Sequence, residues 1–258
     1  MSNQADFFAG FNFQIELLEQ CTIGTVVFKC HVIEYDFATA NCRYFRLIRV
    51  LNFRLQLQNL NHVGGIAKLL EYWKVPVYGP RGEPIDTLTQ PVAGGDRVWI
   101  PELGVDFEVL DIPGHTRAHI AYYGGGMLFC GDTLFACGCG RAFEGPPEQL
   151  YRSLQKLTAL PDETLVYCGH EYTVANIDFA LAVEPGNAAL FDRSDEERSL
   201  RAANRPTLPS TIGREKATNP FLRCTQPAVI ESADKYLGSR VSEPAQVFAA
   251  LRNWKNSF

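Results

Sequence analysis

Five histidines occur in the chain: His31, His62, His115, His119 and His170. Three of them, together with Asp132, stand in short glycine-containing turns. His62 lies in Asn61-His62-Val63-Gly64-Gly65 and His115 in Pro113-Gly114-His115-Thr116. Asp132 lies in Gly131-Asp132-Thr133 and His170 in Gly169-His170-Glu171-Tyr172. The last three turns follow apolar, strand-like runs at 105–112, 127–130 and 165–168. Loops at one edge of a sheet can converge, and neutral imidazole with carboxylate is a ligand set suited to zinc or iron. Glycine beside each ligand lets the backbone turn sharply and come close. Any one of these residues alone would read as the cap of a turn; four with the same flanks point to one site. His119, four residues after His115, reads as a hydrogen-bond partner of a ligand rather than a ligand.

Longer runs make the pattern specific. Pro-Gly-His-Thr at 113–116, Cys-Gly-Asp-Thr-Leu-Phe at 130–135, Gly-Cys-Gly-Arg with Phe-Glu-Gly within 138–145, and Cys-Gly-His-Glu-Tyr-Thr at 168–173 resemble the ordered motifs of the hydroxyacylglutathione hydrolases (glyoxalase II). Those enzymes are built on the metallo-β-lactamase scaffold. Glu-Pro-Gly-Asn-Ala from 184, Pro-Thr-Leu-Pro-Ser-Thr from 206 and Asn-Pro-Phe-Leu-Arg from 219 are similar to the family's helical substrate domain. The resemblance covers about residues 62–258.

It implies an α/β fold: a four-layer αββα metallo-β-lactamase sandwich over 1–173, atypical at 15–61, then a small α-helical glutathione-binding domain over 174–258. It implies two metals, zinc with iron or manganese as other candidates. His115 would ligate the first metal, Asp132 would bridge, and His62 and His170 would ligate the second. The hydroxide held by Asp132, His62 and His170 would be the nucleophile toward a thioester carbonyl. Arg141, Phe143, Tyr172, Arg252 and Lys255 fall at the family's glutathione-contact positions, Phe143 where some members have tyrosine. The implied reaction is hydrolysis of S-lactoylglutathione and related 2-hydroxyacyl thioesters, the last step of methylglyoxal detoxification. The implied partner is that small molecule, with no nucleic acid, no membrane and a monomeric chain.

The resemblance breaks ahead of His62. The family carries Thr-His-x-His-x-Asp-His there; this chain reads Gln56-Leu57-Gln58-Asn59-Leu60-Asn61-His62. Leucine cannot bind metal, and asparagine offers only a neutral oxygen. Divergence, a small deletion and a frameshift all fit this segment. The first metal keeps only His115 and the shared Asp132, so the chain binds two metals, one or none. A metal-depleted relative that binds glutathione thioesters without turnover, and a mononuclear glutathione persulfide dioxygenase, stand as alternatives to the hydrolase.

The elements that must position these residues follow from periodicity. Apolar runs at 75–78, 97–100, 105–112, 119–123, 127–130 and 165–168 predict strands between glycine and proline turns. Residues 66–73 and 147–157 predict amphipathic helices, the second opened by proline. Residues 22–33 predict a further strand, and Arg43, Arg46 and Arg49 share one face of a predicted helix. From Val174 strand signals vanish and helical stretches dominate, which places a boundary near 173. The 258 residues, 46% hydrophobic, suffice for a sizeable core. A net charge of −5 and a pI near 5.6 exclude a global pull toward nucleic acid or anionic membrane. No apolar run approaches a membrane span, and no basic residue precedes Lys29, as a leader would require. With cysteines beside candidate ligands and in strands, the expected state is reduced and the expected compartment cytoplasmic.

Overall fold

A computed structural model describes residues 66, 67, 70, 74–101 and 104–258. Its centre is a six-stranded sheet. Strands β3 (Arg97–Ile100), β4 (Val105–Asp111), β5 (Ile120–Gly124) and β6 (Met127–Gly131) form an antiparallel meander. The chain then crosses over through helix α1 (Pro147–Thr158) to β9 (Leu165–Cys168), which lies parallel to β6. Tyr78–Pro80 (β1) and Gln90–Val92 (β2) make a small parallel pair, and Leu134–Phe135 (β7) with Gly138–Cys139 (β8) make a tight hairpin.

Alternation along the strands sends side chains to two apolar faces. Ala121, Leu128, Cys130, Val166 and Cys168 join the cluster that holds Leu150, Leu154 and Leu157 of α1. Their neighbours Ile120, Tyr122, Met127, Phe129, Leu165 and Tyr167 pack on the opposite face with Val98, Ile100, Phe107 and Val109. A sheet apolar on both sides is an inner layer and must be covered twice. The four-layer expectation also draws on residues 1–65, which lie outside the described residues. The strand expected at 22–33 and the Arg43, Arg46, Arg49 face lie there too. Of the helix expected over 66–73, Ile66, Ala67 and Leu70 are described and helical, with Ile66 buried.

The C-terminal part is helical: α2 (Thr173–Val183), α3 (Ala188–Ala202), α4 (Ile212–Thr218), a 3-10 turn at Pro220–Leu222, α5 (Pro227–Leu237) and α6 (Pro244–Ser257). Phe179, Phe221, Val229, Val247, Phe248 and Leu251 from these helices share the cluster of α1. One continuous core therefore spans the boundary region near 173. Two expectations need correction. Strand pairing does not stop at Val174: Ser210–Thr211 (β10) adds antiparallel to β9 at the sheet edge. Two residues are too few to show a period, so this strand is set by its partner. The strand expected at 75–78 is displaced to Tyr78–Pro80, where β2 supplies its pairing.

Candidate metal and thioester site

The sheet topology brings the ligand turns together. Strands β4, β6 and β9 run in the same direction, so the turns that follow them open at one edge. Gly131 takes φ +52, a left-handed value that favours glycine, and its carbonyl accepts the Gly169 N–H at 2.8 Å. This bond ties the Asp132 turn to the His170 turn. The His115 turn is pressed from behind by α1. Ser153 Oγ donates to the Pro113 carbonyl at 2.6 Å, and Gly114, at φ +138, lies so close to Leu150 that a Cβ would meet its backbone.

Asp132 sits between two imidazoles. His115 Nε2 is 3.6 Å from Asp132 Oδ2, and His170 Nε2 is 3.6 Å from Oδ1. All three residues are under 10% exposed. His115 Nδ1 donates to the Arg141 carbonyl at 2.8 Å, which turns the Nε2 lone pair toward the carboxylate. His119 lies beside the Asp132 turn. Its Nε2 accepts the Asp132 backbone N–H at 3.3 Å and its Nδ1 pairs with Thr116 Oγ1 at 3.3 Å, so it fixes the Asp132 turn from below. Burial pushes the Asp132 carboxyl up, but His170, His115 and His119 outweigh burial and hold it below the ordinary range.

This donor set fits a transition metal. A separation of 3.6 Å exceeds a hydrogen bond, yet bonds of about 2 Å from each donor to a shared ion span it. His62, the fourth expected ligand, lies outside the described residues. Among the described residues, no group of three or more histidines, cysteines or acidic residues stands as a metal site by itself.

The trio opens into a cleft of about 360 Å³ that also reaches Arg141, Phe143, Tyr172, Arg252 and Lys255. Tyr172 stacks on His170 at 5.1 Å between ring centres, and Phe143 meets His115 edge-on at 5.3 Å. Both aromatics are about half exposed at the mouth. Burial and Asp132 push the Tyr172 phenol up, against a smaller opposing pull from Arg141, which keeps it a hydrogen-bond donor. Arg252 and Lys255 both come from α6, but their surroundings differ. Arg252 is 5% exposed, and its Nη1 donates to the Cys139 carbonyl at 2.9 Å and the Gly140 carbonyl at 3.5 Å. Lys255 is part-exposed and donates to the Ala175 carbonyl at 3.0 Å. Burial, then Arg252, pulls its ammonium down to about 8.

Sequence reasoning missed Phe135, which lines the cleft and meets Tyr172 edge-on at 5.3 Å. It ends the Cys-Gly-Asp-Thr-Leu-Phe run, so the motif itself carried the signal. Gly140 was also missed as a packing requirement: a Cβ there would sit 1.9 Å from the Asp132 carbonyl and 3.0 Å from His115 Nδ1. Gly140→Ala must displace one ligand turn. Misplacement by about 1 Å costs on the order of 10²-fold in rate, so turnover is expected to fall by at least about tenfold with a lowered unfolding temperature. Steady-state kinetics beside thermal unfolding check this, and unchanged kinetics would mean the turn yields without moving a ligand.

Comparison with known proteins matches this arrangement in two parts. Residues 60–170 match the metallo-β-lactamase superfamily, a metal-binding class. Residues 171–258 match the hydroxyacylglutathione hydrolase C-terminus. The hydroxyacylglutathione hydrolase of Nitrosomonas eutropha is 56% identical over 198 residues, 77% of this chain and 78% of its own. That of Vibrio cholerae is 53% identical over 201 residues, 77% of each chain. The crystal structure of ETHE1 from Myxococcus xanthus is 28% identical, covers 77% of this chain and 73% of its own, and superposes with a TM-score of 0.48. The chain belongs to the hydroxyacylglutathione hydrolase family of the metallo-β-lactamase superfamily.

Proposed function

We propose that the chain hydrolyses S-(2-hydroxyacyl)glutathione thioesters, S-lactoylglutathione among them, releasing the hydroxy acid and glutathione. One observation carries this reading. The His115–Asp132–His170 trio from the sheet part opens into the same cleft as Arg252 and Lys255 from the helical part. We assign residues 1–173 to catalysis and 174–258 to glutathione binding. Zinc is the metal that His62, His115, Asp132 and His170 suit best, with iron and manganese as the other candidates. When bound, such an ion supplies Lewis acidity and lowers the pKa of water to about 7.

The remaining work falls to the chain. Asp132 supplies the negative charge that holds cations at the cleft floor. His115 and His170 are oriented by their own hydrogen bonds and ring contacts, so little reorganisation is needed. Phe135 lines the cleft beside His170, and Phe143 and Tyr172 stand at its mouth to meet glutathione. Arg141 and Lys255 face the carboxylates of glutathione, while Arg252 holds the Cys139 and Gly140 carbonyls and lends its charge from beneath. The departing glutathione thiolate is a competent leaving group, so no strong general acid is required. Buried thiols at Cys130, Cys137, Cys139, Cys168 and Cys224 favour a reducing, cytoplasmic setting. No described helix is long and apolar enough to cross a membrane.

Release of thiol from S-lactoylglutathione by the metal-supplemented chain tests the reading; absence of release at any metal loading would defeat it. Lys255 adds a pH signature. Its ammonium is charged below about 8 and neutral above it. If the cation holds a substrate carboxylate, kcat/KM declines as pH rises through about 8, since that ratio reports the free enzyme. Lys255→Arg keeps the charge and is expected to lose that limb. Lys255→Ala should raise KM more than it lowers kcat, because the carboxylate does not change charge during thioester cleavage. Arg252→Ala shares the KM effect but also frees two buried carbonyls, so it should cost stability as well. The same alkaline limb in parent and Lys255→Arg would remove Lys255 from the binding role.

A further inference from the structure

The turn between β7 and β8 is gripped by side chains from the C-terminal helices. Cys137 takes φ +57, a left-handed value that is strained for a residue other than glycine. Its N–H donates to Glu215 Oε2 at 2.8 Å. Asn219 Nδ2 donates to the Gly138 carbonyl at 2.9 Å and to Glu215 Oε2 at 3.0 Å, and Asn176 Nδ2 donates to the Ala136 carbonyl at 3.0 Å. Glu215 is fully buried. Its Oε1 accepts Arg193 Nη2 at 2.7 Å and Ser210 Oγ at 2.5 Å, so its charge is met by a guanidinium that is itself 2% exposed. An ion pair this deep is costly to assemble and is weak as a mere stabiliser. What it holds here is a backbone turn in a conformation that cysteine does not favour.

A short path runs from that turn to the site. β8 leads into Gly140, whose N–H donates to the Thr133 carbonyl at 3.2 Å and whose Cα abuts the Asp132 carbonyl. β7 ends in Phe135, which faces His170 edge-on at 6.1 Å between ring centres. We propose that Glu215 is a positioning residue for the thioester site: through the Cys137 turn it sets the Gly140 contact with Asp132 and the placement of Phe135. The helical part thus shapes the ligand turn in addition to lining the cleft. The turnover arm of the test rests on the functional reading above; the exchange arm does not.

Glu215→Gln keeps the shape but leaves one acceptor oxygen and sets an NH₂ against Arg193 or against the Cys137 N–H. Amide hydrogen exchange is expected to rise about tenfold or more at Cys137 and, by propagation, at Gly140 and Asp132. kcat/KM on S-lactoylglutathione is expected to fall about tenfold or more. Adding Cys137→Gly to Glu215→Gln should restore part of both, because glycine takes the left-handed conformation without the clamp. If Glu215→Gln fails to fold, Asn219→Ala carries the same expectation with smaller amplitude, since it keeps the Arg193–Glu215 pair. Faster exchange confined to Cys137, or propagated exchange with unchanged kcat/KM, would overturn the proposal. A parent chain that turns over no thioester defeats the functional reading instead, and propagation of exchange then decides the clamp alone.

Discussion

Asp132→Ala is expected to lower turnover of S-lactoylglutathione by about 10³-fold or more and to strip most of the metal that survives dialysis. The carboxylate stands 3.6 Å from Nε2 of both His115 and His170, one oxygen toward each. Removing it leaves two imidazoles without the anion between them. Loss of a single oxyanion donor in an acyl-transfer site costs on the order of 10²–10³ in rate, and this change removes the group that unites the whole trio. Asp132→Asn separates charge from shape. The amide keeps the volume and one neutral oxygen, so it should retain the fold and still lose nearly as much turnover. Metal content by mass spectrometry and thiol release, measured on the same samples, decide the matter. An alanine variant within about threefold of the parent would place the chemistry elsewhere.

How much of this was legible in the sequence depends on where each residue's partners lie. The turns of His115, Asp132 and His170 were legible because each follows an apolar, strand-like run and carries a glycine. The runs at 127–130 and 165–168 emerged as β6 and β9 almost unchanged. Their convergence followed from topology: strands β4, β6 and β9 run in one direction, so their C-terminal turns share an edge. His119 as a holder of the Asp132 turn was also legible, from its spacing to His115. The β7–β8 hairpin and β10 were not. Elements of two residues have no period, and their geometry is imposed by groups distant in the chain, as with Asn219 on Gly138 and Val166 beside Ser210. Arg252 shows the same limit. Nothing local to position 252 shows that the carbonyls of Cys139 and Gly140 draw its guanidinium inside. Local pattern carries the charge; only the folded chain supplies the acceptors.

The segment before His62 carries the other large effect. We expect the chain as written to hold at most about one transition metal per monomer and to hydrolyse S-lactoylglutathione poorly beside its Nitrosomonas eutropha relative. The superfamily match begins at residue 60, and positions 57, 59 and 61 hold Leu57, Asn59 and Asn61 where the family places two histidines and an aspartate. Those positions lie outside the described residues, so the count rests on ligand chemistry. A catalytic zinc site needs about three protein ligands and an open position. His62, Asp132 and His170 reach that number for one ion. His115 with the shared Asp132 does not reach it for a second. Without the second cation, stabilisation of the developing oxyanion drops, at a cost on the order of 10²–10³ in rate. Restoring the set with Leu57→His, Asn59→His and Asn61→Asp together should raise the metal count toward two and recover much of that factor. Metal analysis and the thioester assay on parent and triple variant read both quantities. Two tightly held metals and brisk turnover in the parent would mean that other side chains complete the first site and that residues 56–61 do not stand at the family's ligand positions.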